Sequence, residues 1–227
     1  MTFGDEMTRA AGQPIESNIK RLTSRTIGIR EEMRLTIASC NAAAQQLKDD
    51  HIINEVERAM EDIALTIKGC QNIWLCGNGS GFSLATDVAY QLATPASRFE
   101  RPTRATVLGM NGSMTTTSYG KCGSDDALSA ELRIQGRRGD VLWCFARDAT
   151  SQALLGVATI ARQELDIPVI TFTEYPGTPL AKFATSKIRI QAVGEKDHSG
   201  YCIQWAHSFL AGIMCNQLKR VARRTRI

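Results

Sequence analysis

Residues 74–93 read WLCGNGSGFSLATDVAYQLA, an apolar stretch that runs into a glycine-rich turn and then into apolar residues at helical spacing. Strand, glycine turn and helix in that order form the unit from which parallel sheets are built. Glycines at 77, 79 and 81 permit positive φ and close backbone approach. Such a turn presents backbone N–H groups to an anion, and Ser80 adds a hydroxyl. A dinucleotide fingerprint is excluded, because the next strand, in VLGMNG, ends without the acidic residue that would hold a ribose. The lysine of a P-loop is also missing.

Outward from this unit the alternation continues. NIWLC precedes a helix over 82–93, and RATVLGM precedes a helix around 113–120. DVLWCFA leads into SQALLGVATIARQEL, PVITFTE into GTPLAKFA, and SKIRIQAV into a final helix beginning GYCIQWAH. Short apolar β-branched runs separated by crossover helices predict an α/β fold, a doubly wound parallel sheet flanked by helices. Ligands of such sheets sit beyond the carboxyl ends of the strands. Upstream, residues 1–13 form a polar arm, and two or three amphipathic helices follow, marked by Ile19, Leu22 and Ile27, then Ile53, Val56, Met60, Ile63, Leu65 and Ile67. These helices pack either on another subunit or on their own domain. The expected division is an arm with oligomerising helices over 1–68 and the sheet domain over 69–227.

The chain has 227 residues, 43% hydrophobic and 22% charged, within the globular range. Aromatics at 6% argue against a stacking platform for single-stranded nucleic acid. Of the net charge of +4, five positives (Lys219, Arg220, Arg223, Arg224, Arg226) lie in the last ten residues, so the rest of the chain carries −1. That basic tail is either a solvated helix end, which suits the negative dipole terminus, or a contact for a protein partner or nucleic acid. Seven cysteines without a CxxC pair, several inside apolar runs, fit buried thiols in a reducing compartment. The opening residues lack an apolar signal region, and no apolar run reaches membrane-spanning length. The expectation is a cytoplasmic protein with no membrane association.

CGNGSGFSLATDVAYQLA, RFERP, GRRGDVLWCFARDATSQAL, IPVITFTEYPGTPLAKFA and IQWAHSFLAGIMC, in this order and spacing, resemble the SIS-domain sugar-phosphate proteins. The likeness is strongest to the phosphoheptose isomerases and extends over roughly residues 30–220. It implies that residues 69–227 are a SIS domain, in a homotetramer with N-terminal helices at the interface. The implied ligand is a sugar phosphate or similar small anion, and the implied chemistry is ketose–aldose isomerisation of sedoheptulose 7-phosphate. Residues assigned to ligand binding on this resemblance are Asn78, Ser80, Ser113, Thr116, Ser151 and Gln204, with Asn111 in place of the family's Asp and Arg147 in place of a hydroxyl. Ser113 also suits a helix cap.

Departures from the family pattern are specific. CGNGGS becomes CGNGSG, and the phosphate loop STSGNS becomes ARDATS, Ala146 to Ser151. Arg147 then either pairs with Asp148 or forks onto the phosphate. Zinc-site positions read Asp87, Gln91, Gln204 and Gly212, a poor donor set for zinc. No metal and no cofactor are therefore expected. Isomerisation through an enediol needs a proton-accepting group, for which Asp87 and His207 are the candidates. If they do not serve, the alternative is a non-catalytic SIS scaffold or regulator, like the branch of the family that binds the bacterial replication initiator.

Overall fold

Five short runs become the five strands of one fully parallel sheet in the computed structural model. The structure describes residues 15–94, 103–123, 126–147, 149–174, 177–191 and 196–224. In chain order the elements are α1 (Ile15–Gln46), α2 (Asp50–Lys68), β1 (Ile73–Gly77), α3 (Ser80–Ala93), β2 (Ala105–Val107) and α4 (Gly112–Cys122). After these come α5 (Ala127–Gln135), β3 (Val141–Phe145), α6 (Gln152–Thr159), β4 (Val169–Thr173), β5 (Ser186–Arg189) and α7 (Lys196–Arg224). A π turn extends α6 over Ile160–Glu164, and GTPLAKFA forms one 3-10 turn, Pro179–Lys182. The expected doubly wound sheet is present. The helix α5 was not anticipated from the sequence.

Both faces of the sheet are buried, and strict alternation along the strands divides the core. Ile73, Leu75, Val141, Trp143, Phe145, Ile170 and Phe172 pack on one side with residues of α2, α3 and α7. Trp74, Cys76, Leu142, Cys144 and Val169 pack on the other with Leu132 of α5 and Leu154, Val157 and Ala158 of α6. Period 2 sends successive side chains to opposite faces, so a strand covered on both sides reads as a nearly continuous apolar run. β1, β3 and β4 are buried at every position.

The end of α1 and the inner face of α2 touch the sheet domain, while Ile29, Met33, Leu35 and Ile37 of α1 are exposed. Ala43 of α1 and Ile52, Ala59 and Ile63 of α2 belong to the same apolar cluster as the strands. Gln46 and Gln191 exchange two hydrogen bonds at 2.8 and 2.9 Å, and Glu55 accepts from the Lys187 backbone N–H at 2.7 Å, pinning both helices to the β5 edge. Cys76, Cys144, Cys202 and Cys215 are buried free thiols, as their apolar surroundings suggest. Among the described residues no helix is long and apolar enough to cross a membrane.

The strand order is β2-β1-β3-β4-β5. Connections run outward in opposite senses from β1 and β3, so the loops after these two strands part and leave a crevice at their carboxyl ends, the topological switch point.

Candidate functional site

The loop from β1 to α3 forms one wall of the crevice. Gly79 takes φ +52, a conformation that favours glycine. Gly77 and Gly81 serve close packing: a Cβ on Gly77 would overlap the Gly81 backbone, and one on Gly81 would overlap the Phe145 carbonyl oxygen at the end of β3. The turn thereby seats the N-terminus of α3 directly against β3, leaving Asn78 and Ser80 exposed. Ser80 is met by Gln204 of α7 in a reciprocal pair. Ser80 Oγ donates to Gln204 Oε1 at 3.2 Å, and Gln204 Nε2 donates to the Ser80 carbonyl at 3.0 Å.

The loop after β3 forms the opposite wall. Arg147 follows Ala146 and pairs with Glu174, the first residue past β4, at 3.9 Å from Nε to Oε2. Glu174 also donates its backbone N–H to the Arg147 carbonyl at 2.8 Å. Ala149 is buried with φ +51, and Ser151 occupies the N-cap position of α6 without a side-chain capping bond. Asp148, a candidate partner of Arg147, lies outside the described residues. Glu174 was missed at the sequence level, although a carboxylate closing the otherwise uncharged run VITFTE was a usable signal.

One turn apart on α3, Gln91 Nε2 donates to Asp87 Oδ2 at 2.7 Å. Burial pushes the Cys215 thiol of α7 up to about 12, and the negative charge of Asp87 adds to the rise, which sets this carboxylate beside α7. The four positions that the resemblance assigns to a zinc site offer few free donors. Asp87 and Gln91 are bonded to each other, Gln204 is committed to Ser80 at both ends of its amide, and around Gly212 a Cβ would meet nothing within 4 Å. One carboxylate and two neutral amides do not fit zinc, which takes thiolate, imidazole and carboxylate ligands. No His/Cys/Asp/Glu cluster suited to a metal occurs among the described residues.

His207 does not line the crevice openly. It is 2% exposed, its ring meets Phe172 of β4 edge-on at 5.4 Å, and Nε2 lacks a hydrogen-bond partner. Burial pulls its pKa down to about 4, and a backbone hydrogen bond with Thr173 only partly offsets this. The imidazole is neutral at pH 7.

At the carboxyl end of β2, Asn111 caps α4 by accepting the Met114 N–H at 3.2 Å, the role the sequence offered to Ser113. Thr116 returns its hydroxyl to the Gly112 and Ser113 carbonyls at 2.7 and 3.2 Å. Buried Glu131 of α5 fixes the turn after β2 by accepting the Gly109 N–H at 2.7 Å. Among the described residues no hydrogen bond joins Asn111, Ser113 or Thr116 to the Ser80–Gln204 pair. The structure therefore brings together Ser80, Gln204, Arg147 and Glu174 around α7, and sets the α4 hydroxyls at the neighbouring strand end.

Known proteins share this architecture. The chain is 29% identical over 169 residues to a phosphoheptose isomerase of Escherichia coli O7:K1, an alignment covering 74% of this chain and 85% of that protein. Among solved structures, the phosphoheptose isomerase GmhA from Neisseria gonorrhoeae superposes with a TM-score of 0.73 at 22% identity, covering 84% of this chain and 99% of its own. The Vibrio vulnificus NanR protein, solved with ManNAc-6P, gives a TM-score of 0.60 at 16% identity, covering 87% of this chain and 65% of its own. A family model described as the SIS domain matches residues 37–174. With more than half of its length in that match, and a parallel sheet whose switch-point crevice is closed by the last helix, the chain belongs to the SIS domain family.

Proposed function

We propose that this chain is a sugar-phosphate-binding protein of the phosphoheptose isomerase type, holding its ligand in the crevice between the β1 and β3 loops. The observation that carries this reading is the convergence there of a glycine turn, the Ser80–Gln204 pair and Arg147. Hydroxyls and amides suit a polyol, and a guanidinium suits its anionic end. Ketose–aldose isomerisation moves a proton between adjacent carbons, so a base must take it from one and return it to the other. Asp87 supplies that base on α3, kept in orientation by Gln91. His207, neutral and packed on Phe172, positions α7 against β4. No step passes through a metal. Calorimetric titration with sedoheptulose 7-phosphate, followed by an assay for aldose formation with and without added zinc, tests the reading. Binding with turnover that ignores zinc supports it, and no binding removes it.

The working assembly is a cytoplasmic homotetramer. Support comes from Tyr201, Trp205, Phe209 and Ile213, which recur every four residues as an exposed apolar stripe on α7, with Trp205 stacked on Phe209 at 5.6 Å. Sedimentation at micromolar concentration measures the assembly state. That stripe also supports the second reading, a non-catalytic scaffold for a protein partner. The basic tail belongs to that reading too, but its residues 225–227 and the side chains of 221–224 lie outside those described. Binding of sugar phosphate without any turnover would favour it.

A further inference from the structure

Glu174 and Gly200 were not among the site residues expected from the sequence, yet both shape the seat of one cation. The Glu174 side chain is 3% exposed and that of Arg147 is 49% exposed. A carboxylate this deep needs a countercharge close by, and its ion pair with Arg147 supplies one. Backbone and side chain together tie the turn after β4 to the turn after β3.

The guanidinium rests on α7, where a Cβ at Gly200 would overlap Arg147 Nη1. Gly200 is therefore a notch. It lies four residues before Gln204 on the same face of the helix, a rise of about 6 Å. This face of α7 thus carries both the Arg147 seat and the Ser80 contact. A guanidinium has five N–H donors in a fixed fork. With one edge turned to Glu174 and half of the side chain exposed, Arg147 retains donors for a ligand.

We propose that Arg147 is the receptor for the anionic end of the ligand, and that Glu174 and Gly200 are its positioning residues, one anchoring the guanidinium by charge and the other by making room. The inference rests on the reading that this crevice holds a sugar phosphate. Buried hydroxyls would bind phosphate without a fixed charge; here a charge is supplied and held at a set angle.

The test uses the full chain, titrated with sedoheptulose 7-phosphate and separately with inorganic phosphate, and melted in parallel. Arg147→Ala is expected to weaken heptose phosphate binding about tenfold to a hundredfold, the range for a hydrogen bond to a charged group. Gly200→Ala is expected to weaken binding by a similar factor while Tm holds or rises, because alanine is favoured over glycine in a helix. The two changes combined should be no worse than Arg147→Ala alone, since both remove the same contact. Free guanidinium at millimolar concentration should restore binding to Arg147→Ala and fail to do so when Glu174→Gln is added. A merely structural role for Gly200 would lower Tm with the affinity, and a merely structural Glu174 would leave the rescue intact; either result overturns the proposal, as does wild-type affinity in Arg147→Ala. If the wild type ignores heptose phosphate but binds inorganic phosphate through Arg147, the sugar-phosphate reading falls and this proposal stands. If it binds neither, both fall.

Discussion

Asp140, just before β3, couples the two strands that frame the crevice, and its removal gives a sharp stability prediction. The residue is 3% exposed. Oδ1 accepts the Asn72 N–H at 2.8 Å, and Oδ2 accepts Trp74 Nε1–H and the Arg137 N–H, each at 2.8 Å. Asp140→Ala leaves the Asn72 and Trp74 donors buried and unpaired, at about 1–3 kcal/mol each, while the Arg137 donor, only part-buried, recovers water. The expected loss is about 3–5 kcal/mol, a large share of the roughly 5–15 kcal/mol that holds a domain folded. Urea denaturation followed by far-UV circular dichroism, with the slope m unchanged, measures it. Trp74→Phe removes one of the stranded donors, so in that background the Asp140→Ala loss should shrink by about 1–2 kcal/mol. A loss below about 1 kcal/mol in the wild-type background, or full additivity in the double variant, would refute the view that this carboxylate staples β1 to β3.

Other expectations concern single residues at the crevice. Because burial lowers the His207 pKa to about 4 from the usual 6.5, the unfolded chain binds a proton that the folded chain refuses in that window; stability should hold above pH 6.5 and decline as pH falls toward 4. In His207→Leu that decline should flatten, read as the urea midpoint against pH. Gly81→Ala drives a methyl into the Phe145 carbonyl, whose backbone has little room to yield, and should cost about 1–3 kcal/mol in denaturant melts while disturbing adjacent Ser80. Ser80→Ala should change stability by less than about 0.5 kcal/mol, since the pair is exposed, yet weaken sugar-phosphate binding several-fold by calorimetry. Asp87→Asn should abolish any aldose formation in the isomerase assay and leave binding within about twofold, separating proton transfer from recognition. Binding lost together with turnover would remove Asp87 as the base.

Legibility of the fold and of the site differed for a physical reason. Strands β1, β3 and β4 were legible because burial on both faces selects short, uncharged and largely apolar runs, with only Thr171 and Thr173 of β4 carrying a hydroxyl. Helix α5 was not, since ALSAELRIQ places charged residues between short apolar ones and buries Glu131 against Gly109. At the glycine turn the sequence showed that backbone freedom was needed, but not how it was divided: only Gly79 takes positive φ, while Gly77 and Gly81 make room for packing. The capping role moved from Ser113 to Asn111, a two-residue shift that propensity does not resolve.

The sequence by itself determined the parallel α/β architecture and the presence of a glycine turn opening a helix, because hydrophobic period and turn chemistry are local and repeat along the chain. Only the tertiary structure decided which polar groups meet. Ser80 finds Gln204 across 124 positions, Arg147 finds Glu174 after a complete helix and strand, and both contacts converge on α7. Apolar patterning states that a face is buried without naming its neighbour, whereas hydrogen bonds and ion pairs act only at contact distance, which the packing angles of helices on the sheet set.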